Sequence, residues 1–128
     1  MTDVACYVVI QDSTSVINDP EVIANHPEDG DFVEYFDNFD APDLRADLRP
    51  VLMFRVNPQM DDGEEVHLYI YLNEVIIVDT TYNTGMPRSW HEVVEANVLR
   101  RRDNAMHALA IGRELHISDL VMMYRAEI

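Results

Sequence analysis

Residues 66–80 read VHLYIYLNEVIIVDT. Val66, Leu68, Ile70 and Leu72 recur every second position, with His67, Tyr69 and Tyr71 between them. A period of two is that of an extended strand laying one face on a core. Asn73 and Glu74 then separate it from a second β-rich run, Val75 to Thr80. Two such runs joined by two residues predict a hairpin.

The same reading extends to both sides. Val51 to Asn57 alternates, with Leu52, Phe54 and Val56 on one face and Arg55 on the other. Pro58 to Glu65 is a loop turning at Asp61, Asp62 and Gly63. Ser89 to Glu95, Ala105 to Ile111 and Glu114 to Arg125 are further strands, the last two joined near Gly112. In the last strand, period two places Leu115, Ile117, Asp119, Val121 and Met123 together. Towards the N-terminus, Val4 to Ile10 reads as a strand and residues 11–31 as a loop rich in Pro, Gly, Asn and Asp. A single helical turn fits Pro20 to Asn25, and a short strand fits Asp31 to Phe36. Residues 37–50 read as loop. About eight short strands without a long helical pattern predict an all-β protein. The competing α+β reading makes residues 96–110 helical, but Asp103-Asn104 interrupts that stretch with turn residues.

Composition narrows the function. The 128 residues hold 24 acidic and nine basic side chains, for a net charge of −15, and every basic residue is Arg. Such a balance argues against a nucleic-acid binder, whose affinity rests on neutralising phosphates. A 48% apolar content argues against wholesale disorder. No uncharged run approaches the roughly 20 residues of a membrane span, and Met1 to Ala5 has no secretory pattern. Cys6 is the single cysteine, so no internal disulfide forms. Carboxylates dispersed over the chain, with lysine wholly replaced, fit a surface adapted to concentrated salt. An acidic mimic of nucleic acid is a further reading of the same charge.

Residues 66–125 resemble the C-terminal half of galactose-binding-like jelly-roll modules. The shared order is VHLYIYLN, a turn, VIIVDT, the aromatic segment SWHEVVEANVL, then RRRDN, AMHALAI and LHISDLVMMYR. Leu99 and Asn104 keep the Leu-to-Asn spacing of those modules. Glu74 and Arg102 stand where the modules carry turn glycines, positions that favour positive φ. The resemblance implies one β-sandwich of jelly-roll type over residues 1–128. Many such modules bind sugars, and others pack against neighbouring domains.

No residues here form the elbow, phosphate loop or dinucleotide turn of a common enzyme class, and no catalytic residue or cofactor is expected. His26, His67, His91, His107 and His116 show no zinc spacing. His67, His107 and His116 fall on strands. Glu28, Asp29 and Asp31, then Asp37, Asp40 and Asp43, and also Asp61, Asp62, Glu64 and Glu65, cluster oxygens without the register of a calcium loop. No metal is expected. Arg100, Arg101 and Arg102 form the single basic cluster, suited to forked hydrogen bonds with a carboxylate-rich neighbour. Tyr69 and Tyr71 point away from the core and need covering. Trp90 and Tyr82, with those tyrosines, could make an aromatic platform for a sugar ring.

The expectation is therefore a non-enzymatic structural protein packing with its own copies or other structural proteins. A surface or tail component of a halophilic virion fits best, with a virion or cytoplasmic location. A glycan-binding module through Trp90 and Tyr82 is the alternative.

Overall fold

The computed structural model describes residues 3–25 and 32–127. The elements run β1 (Asp3–Gln11), β2 (Ser15–Ile17), α1 (Pro20–Asn25), β3 (Val33–Tyr35), β4 (Val51–Pro58), β5 (Val66–Leu72), β6 (Val75–Tyr82), β7 (Arg88–Val93), β8 (Met106–Ile111) and β9 (Leu115–Glu127). One sheet has the order β1-β9-β4-β7, with β2 also on β9, and the other has the order β3-β8-β5-β6. All these pairings are antiparallel, so the protein is an all-β sandwich of jelly-roll type.

The core lies between the sheets, where alternation predicts it. Leu52, Phe54 and Val56 of β4 and Val66, Leu68, Ile70 and Leu72 of β5 are buried. They pack with Ala108, Ala110, Leu115, Ile117 and Met122 in one cluster. The β5–β6 hairpin turns on Asn73 and Glu74, at φ 50° and 69°. Both central residues are left-handed, as the twist of a two-residue hairpin requires. Glu74 thus occupies the glycine conformation that the resemblance implies. Near Arg102 the left-handed residue is instead Asp103, at φ 55°.

Two expectations are corrected. The expected eight or so strands are nine among the described residues, and what is corrected is the loop reading of 11–31, where Ser15–Ile17 pairs with Leu115–Ile117. Three residues carry too little periodicity to announce themselves, and their partner lies far along the chain. The second correction concerns β9. Leu115 and Ile117 are buried, but so are Leu120, Met122, Tyr124 and Ala126, while Asp119 and Met123 are exposed. Met53 pairs with Val121 and Arg55 with Ser118, so Asp119 and Leu120 together face Phe54. Asp119 has φ 53°. This β-bulge shifts the alternation by one residue and turns Val121 and Met123 outwards.

The segment between β3 and β4 is irregular but anchored. Phe36, Phe39, Ala41 and Leu44 are buried, and Phe39 and Leu44 bridge to Asn104 and Ala126.

Candidate functional site

Period two explains the most distinctive surface. Because Val66, Leu68 and Ile70 point inwards, His67, Tyr69 and Tyr71 must stand on the outer face of β3-β8-β5-β6. Register then brings neighbours alongside. His107 pairs with Tyr71 on one side and with Tyr35 on the other. On the far side, Tyr69 is opposite Asp79 and His67 is opposite Thr81.

These rings form a row across the sheet. The Tyr35 and His107 centroids are 5.4 Å apart, and His107 stacks on Tyr71 at 4.5 Å with 9° between planes. Tyr71 and Tyr69 follow at 6.5 Å, then Tyr69 and His67 at 4.4 Å. The row ends in polar contacts, with His67 Nδ1 2.6 Å from Thr81 Oγ1 and His67 Nε2 2.5 Å from Asp79 Oδ1. Tyr35 is 74% exposed, and Val33 of β3, Ile111 of β8 and Ile76 of β6 are further exposed apolar side chains of the same sheet. Tyr69 and Tyr71 therefore belong to a larger surface than two tyrosines. Reading His67 and His107 as strand residues hints at their place in it. Tyr35 carries no such signal, since β3 has three residues.

The opposite sheet has its own exposed apolar face. Tyr7 is 67% exposed and Val93 is 56% exposed, with Val9, Met53 and Met123 also open to solvent. Tyr7, Met53, Arg55, His91 and Met123 line a shallow groove there. Apolar and aromatic side chains, rather than rows of carboxylates, occupy the middle of both faces.

Trp90 and Tyr82 are placed differently. Tyr82 is 2% exposed and meets the Trp90 ring edge-on, with centroids 5.2 Å apart and planes at 78°. Trp90 Nε1 donates to Glu92 Oε1 at 2.9 Å, and the Arg88 guanidinium lies 5.7 Å from the Tyr82 ring centre. Burial pushes the Tyr82 phenol well above its ordinary range. The pair packs between the sheets, so these two rings and the two outer tyrosines do not form one platform. Trp90 stands beside Phe54 across β4–β7 with its alternation inwards.

Arg100, Arg101 and Arg102 lie in the connection leading to β8, and all three are exposed. Arg101 is committed internally, donating through Nε to the Leu44 carbonyl at 3.1 Å. Its Nη2 is 3.9 Å from Glu127 Oε2. Arg101 and Arg102 line a recess with Asp40, Pro42 and Asp43. The connection itself hangs on Asn104, which is fully buried. Asn104 Nδ2 donates to the carbonyls of Arg100 (2.7 Å) and Phe39 (3.1 Å). Its Oδ1 accepts from the Arg100 amide at 2.8 Å and from Asn73 Nδ2 at 2.9 Å. The motif residue is a structural pin, and every hydrogen-bonding position of its side chain is used.

Among the described residues no three His, Cys, Asp or Glu are placed to hold a metal ion. Asp61 and Glu64 close a turn on each other, and Glu64 pairs with Arg113. Asp40 accepts from the Asp103 amide at 2.9 Å. His116 sits apart from the ring row, 3.4 Å from Glu114. Cys6 is a half-buried free thiol on β1. His26, Glu28, Asp29 and Asp31 lie outside the described residues.

Two antiparallel sheets packed face to face define a β-sandwich of jelly-roll type. No protein-family model and no curated protein sequence matches the chain. Solved structures do. Dimeric latent PorU from Porphyromonas gingivalis aligns over 98% of this chain with TM-score 0.63 and 11% identity. This chain spans 13% of the PorU chain, so the likeness is one of fold. The CBM36-1 domain of a multidomain xylanase from the hindgut metagenome of Trinervitermes trinervoides aligns over 97% of this chain and 99% of its own, with TM-score 0.47 and 10% identity. The C-terminal domain of EclA, a sugar-binding protein, aligns over 94% of this chain and 79% of its own, with TM-score 0.47 and 8% identity. No described helix is long and apolar enough to cross a membrane.

Proposed function

We propose that this protein is a non-catalytic structural module that packs through its sheet faces into a larger assembly. Its neighbours are further copies of itself or other structural proteins. The observation that carries this reading is the apolar character of both outer faces. Tyr7, Val9, Met53, Val93 and Met123 on one sheet, and Val33, Tyr35, Ile76 and Ile111 on the other, stand exposed on a chain of charge −15. An antiparallel sheet open to water alternates apolar inside with polar outside. Sheets apolar on both sides are sheets that something covers. The acidic, lysine-free remainder supports a particle built for concentrated salt, such as the surface or tail of a halophilic virion. Size measurement by sedimentation across a salt series tests this. A stable oligomer at molar salt is expected, and a strict monomer throughout overturns the reading.

A second reading, glycan binding, has its own observation: the ring row from Tyr35 to His67 ends in the hydrogen-bonding groups of Asp79 and Thr81. Rings offer stacking faces to a sugar, and flanking polar groups fix its hydroxyls. A glycan-array screen is expected to find a ligand whose binding falls with Tyr35→Ala and survives Trp90→Ala. An empty screen, or binding indifferent to Tyr35→Ala, overturns it.

A further inference from the structure

We infer that the exposed edge of β1 pairs antiparallel with β1 of a second copy, about a two-fold axis, to make one continuous sheet. The inference rests on the packing reading and names its surface and partner.

Strand order leaves β1, β7, β3 and β6 at the sheet edges. Natural edges are blunted by charge, proline, shortness or bulges, because a bare edge offers its free N–H and C=O groups to any extended chain. β7 carries Arg88 and Glu92, β3 is three residues long and carries Glu34, and β6 carries Asp79. β1 differs. From Val4 to Ile10 it has no charged residue and no proline, and among the described residues it pairs with β9 alone. Its single irregularity lies at the far end, between Val9 and Gln11.

Both sides of β1 are also incompletely covered. Cys6, Val8 and Ile10 pack against the core but remain half-exposed. The cause is a mismatch of lengths. β2 continues this edge and packs against β3, so the opposing sheet ends here in a three-residue strand. On the outer side, Tyr7 and Val9 stand exposed beside their register partners Met123 and Val121. A second β1 would close the open core edge and join two apolar strips into one.

The partner must be an extended, uncharged strand that is apolar on both sides. β1 meets that description itself, and antiparallel pairing about a two-fold axis keeps inward residues inward on both copies. Charge favours the same choice. Two molecules of −15 repel at low salt, but along this strand no carboxylate of one copy need face one of the other. At its end Asp3 is already paired with Arg125 and with Arg45. Screening to about 3 Å in 1 M salt removes the remaining long-range repulsion.

The test compares the parent with the double variant Tyr7→Lys, Val9→Lys by sedimentation at about 0.1 M and about 3 M KCl. Amide exchange of residues 4–10 is followed in parallel. The parent is expected to be monomeric at low salt and dimeric at high salt, with β1 exchange slowed about tenfold in the dimer. The double variant is expected to stay monomeric at both salts with an unchanged melting curve at low salt, since both side chains are exposed. Added lysines lower the net negative charge, so bulk repulsion does not account for lost pairing. Ile76→Lys, on the other sheet, is expected to dimerise like the parent. A variant that still dimerises, with β1 amides unprotected in the parent, overturns this inference and leaves the packing reading standing. A parent monomeric at every salt overturns both.

Discussion

Replacing Leu120 by Asp is expected to leave the protein unfolded, whereas deleting Asp119 is expected to leave it folded with the same inward face on β9. The bulge at Asp119 keeps Ile117 before it and Leu120, Met122 and Tyr124 after it on the core side. Strict alternation through Asp119 would instead turn Val121 and Met123 inwards. Removing the extra residue restores plain alternation from Ile117 to Tyr124 with the same side chains inside, so the deletion alters the local geometry opposite Phe54 and spares the core. Leu120 is fully buried. An aspartate there forfeits about 1.5–3 kcal/mol of apolar burial, and an unpaired buried carboxylate costs several kcal/mol more. Together these rival the entire stability of a typical domain, about 5–15 kcal/mol. Asp119→Gly should be accepted within about 1 kcal/mol of the parent, because Asp119 sits at φ 53°, which glycine adopts freely. Circular dichroism and amide NMR dispersion measure the outcome. A deletion variant without native dispersion, or a folded Leu120→Asp variant, would refute this account of the strand.

The next largest effect is expected at Asn104→Ala, a loss of about 3–5 kcal/mol in urea denaturation. Four hydrogen bonds disappear together: the Arg100 carbonyl and amide lose their side-chain partner, Asn73 Nδ2 loses one of its two acceptors, and the Phe39 carbonyl keeps only the Asn104 amide. An unmet buried polar group costs about 1–3 kcal/mol. Asn104→Asp should be nearly as damaging, because a carboxylate cannot donate to those carbonyls and is itself fully buried. The damage should spread to the β5–β6 turn through Asn73, whose Nδ2 also donates to the Val98 carbonyl and whose Oδ1 accepts from the Ala105 amide. A loss below about 1 kcal/mol for Asn104→Ala would remove its role as the pin of this connection. The Leu99-to-Asn104 spacing is thus a folding feature: Leu99 fills the core and Asn104 ties two turns to the chain between β3 and β4.

The candidate surface was legible in part. Tyr69 and Tyr71 announce their outward direction because four inward neighbours alternate with them. Tyr35 does not, since three residues of β3 show no period, and its place beside His107 follows from pairing across 72 positions of chain (107 − 35). Trp90 was open to either direction. The structure turns it towards Phe54 and Tyr82, where it is half-buried and its Nε1 still reaches Glu92. Arg100 to Arg102 were visible as a cluster, but not the capture of Arg101 by the Leu44 carbonyl.

What the amino-acid order determined by itself is local: the β4, β5 and β6 strands, the inward set from Leu52 to Leu72, and the hairpin at Asn73-Glu74. Each follows from a period of two or a two-residue turn within a few neighbours. Tertiary structure alone decided the bulge at Asp119, the strand at Ser15–Ile17, the open edge of β1 and the meeting of Tyr35, His107 and Tyr71. The physical reason is the same in each case. Backbone hydrogen bonds and ring contacts there are made with residues remote in the chain, so register between distant strands sets which side chain faces water.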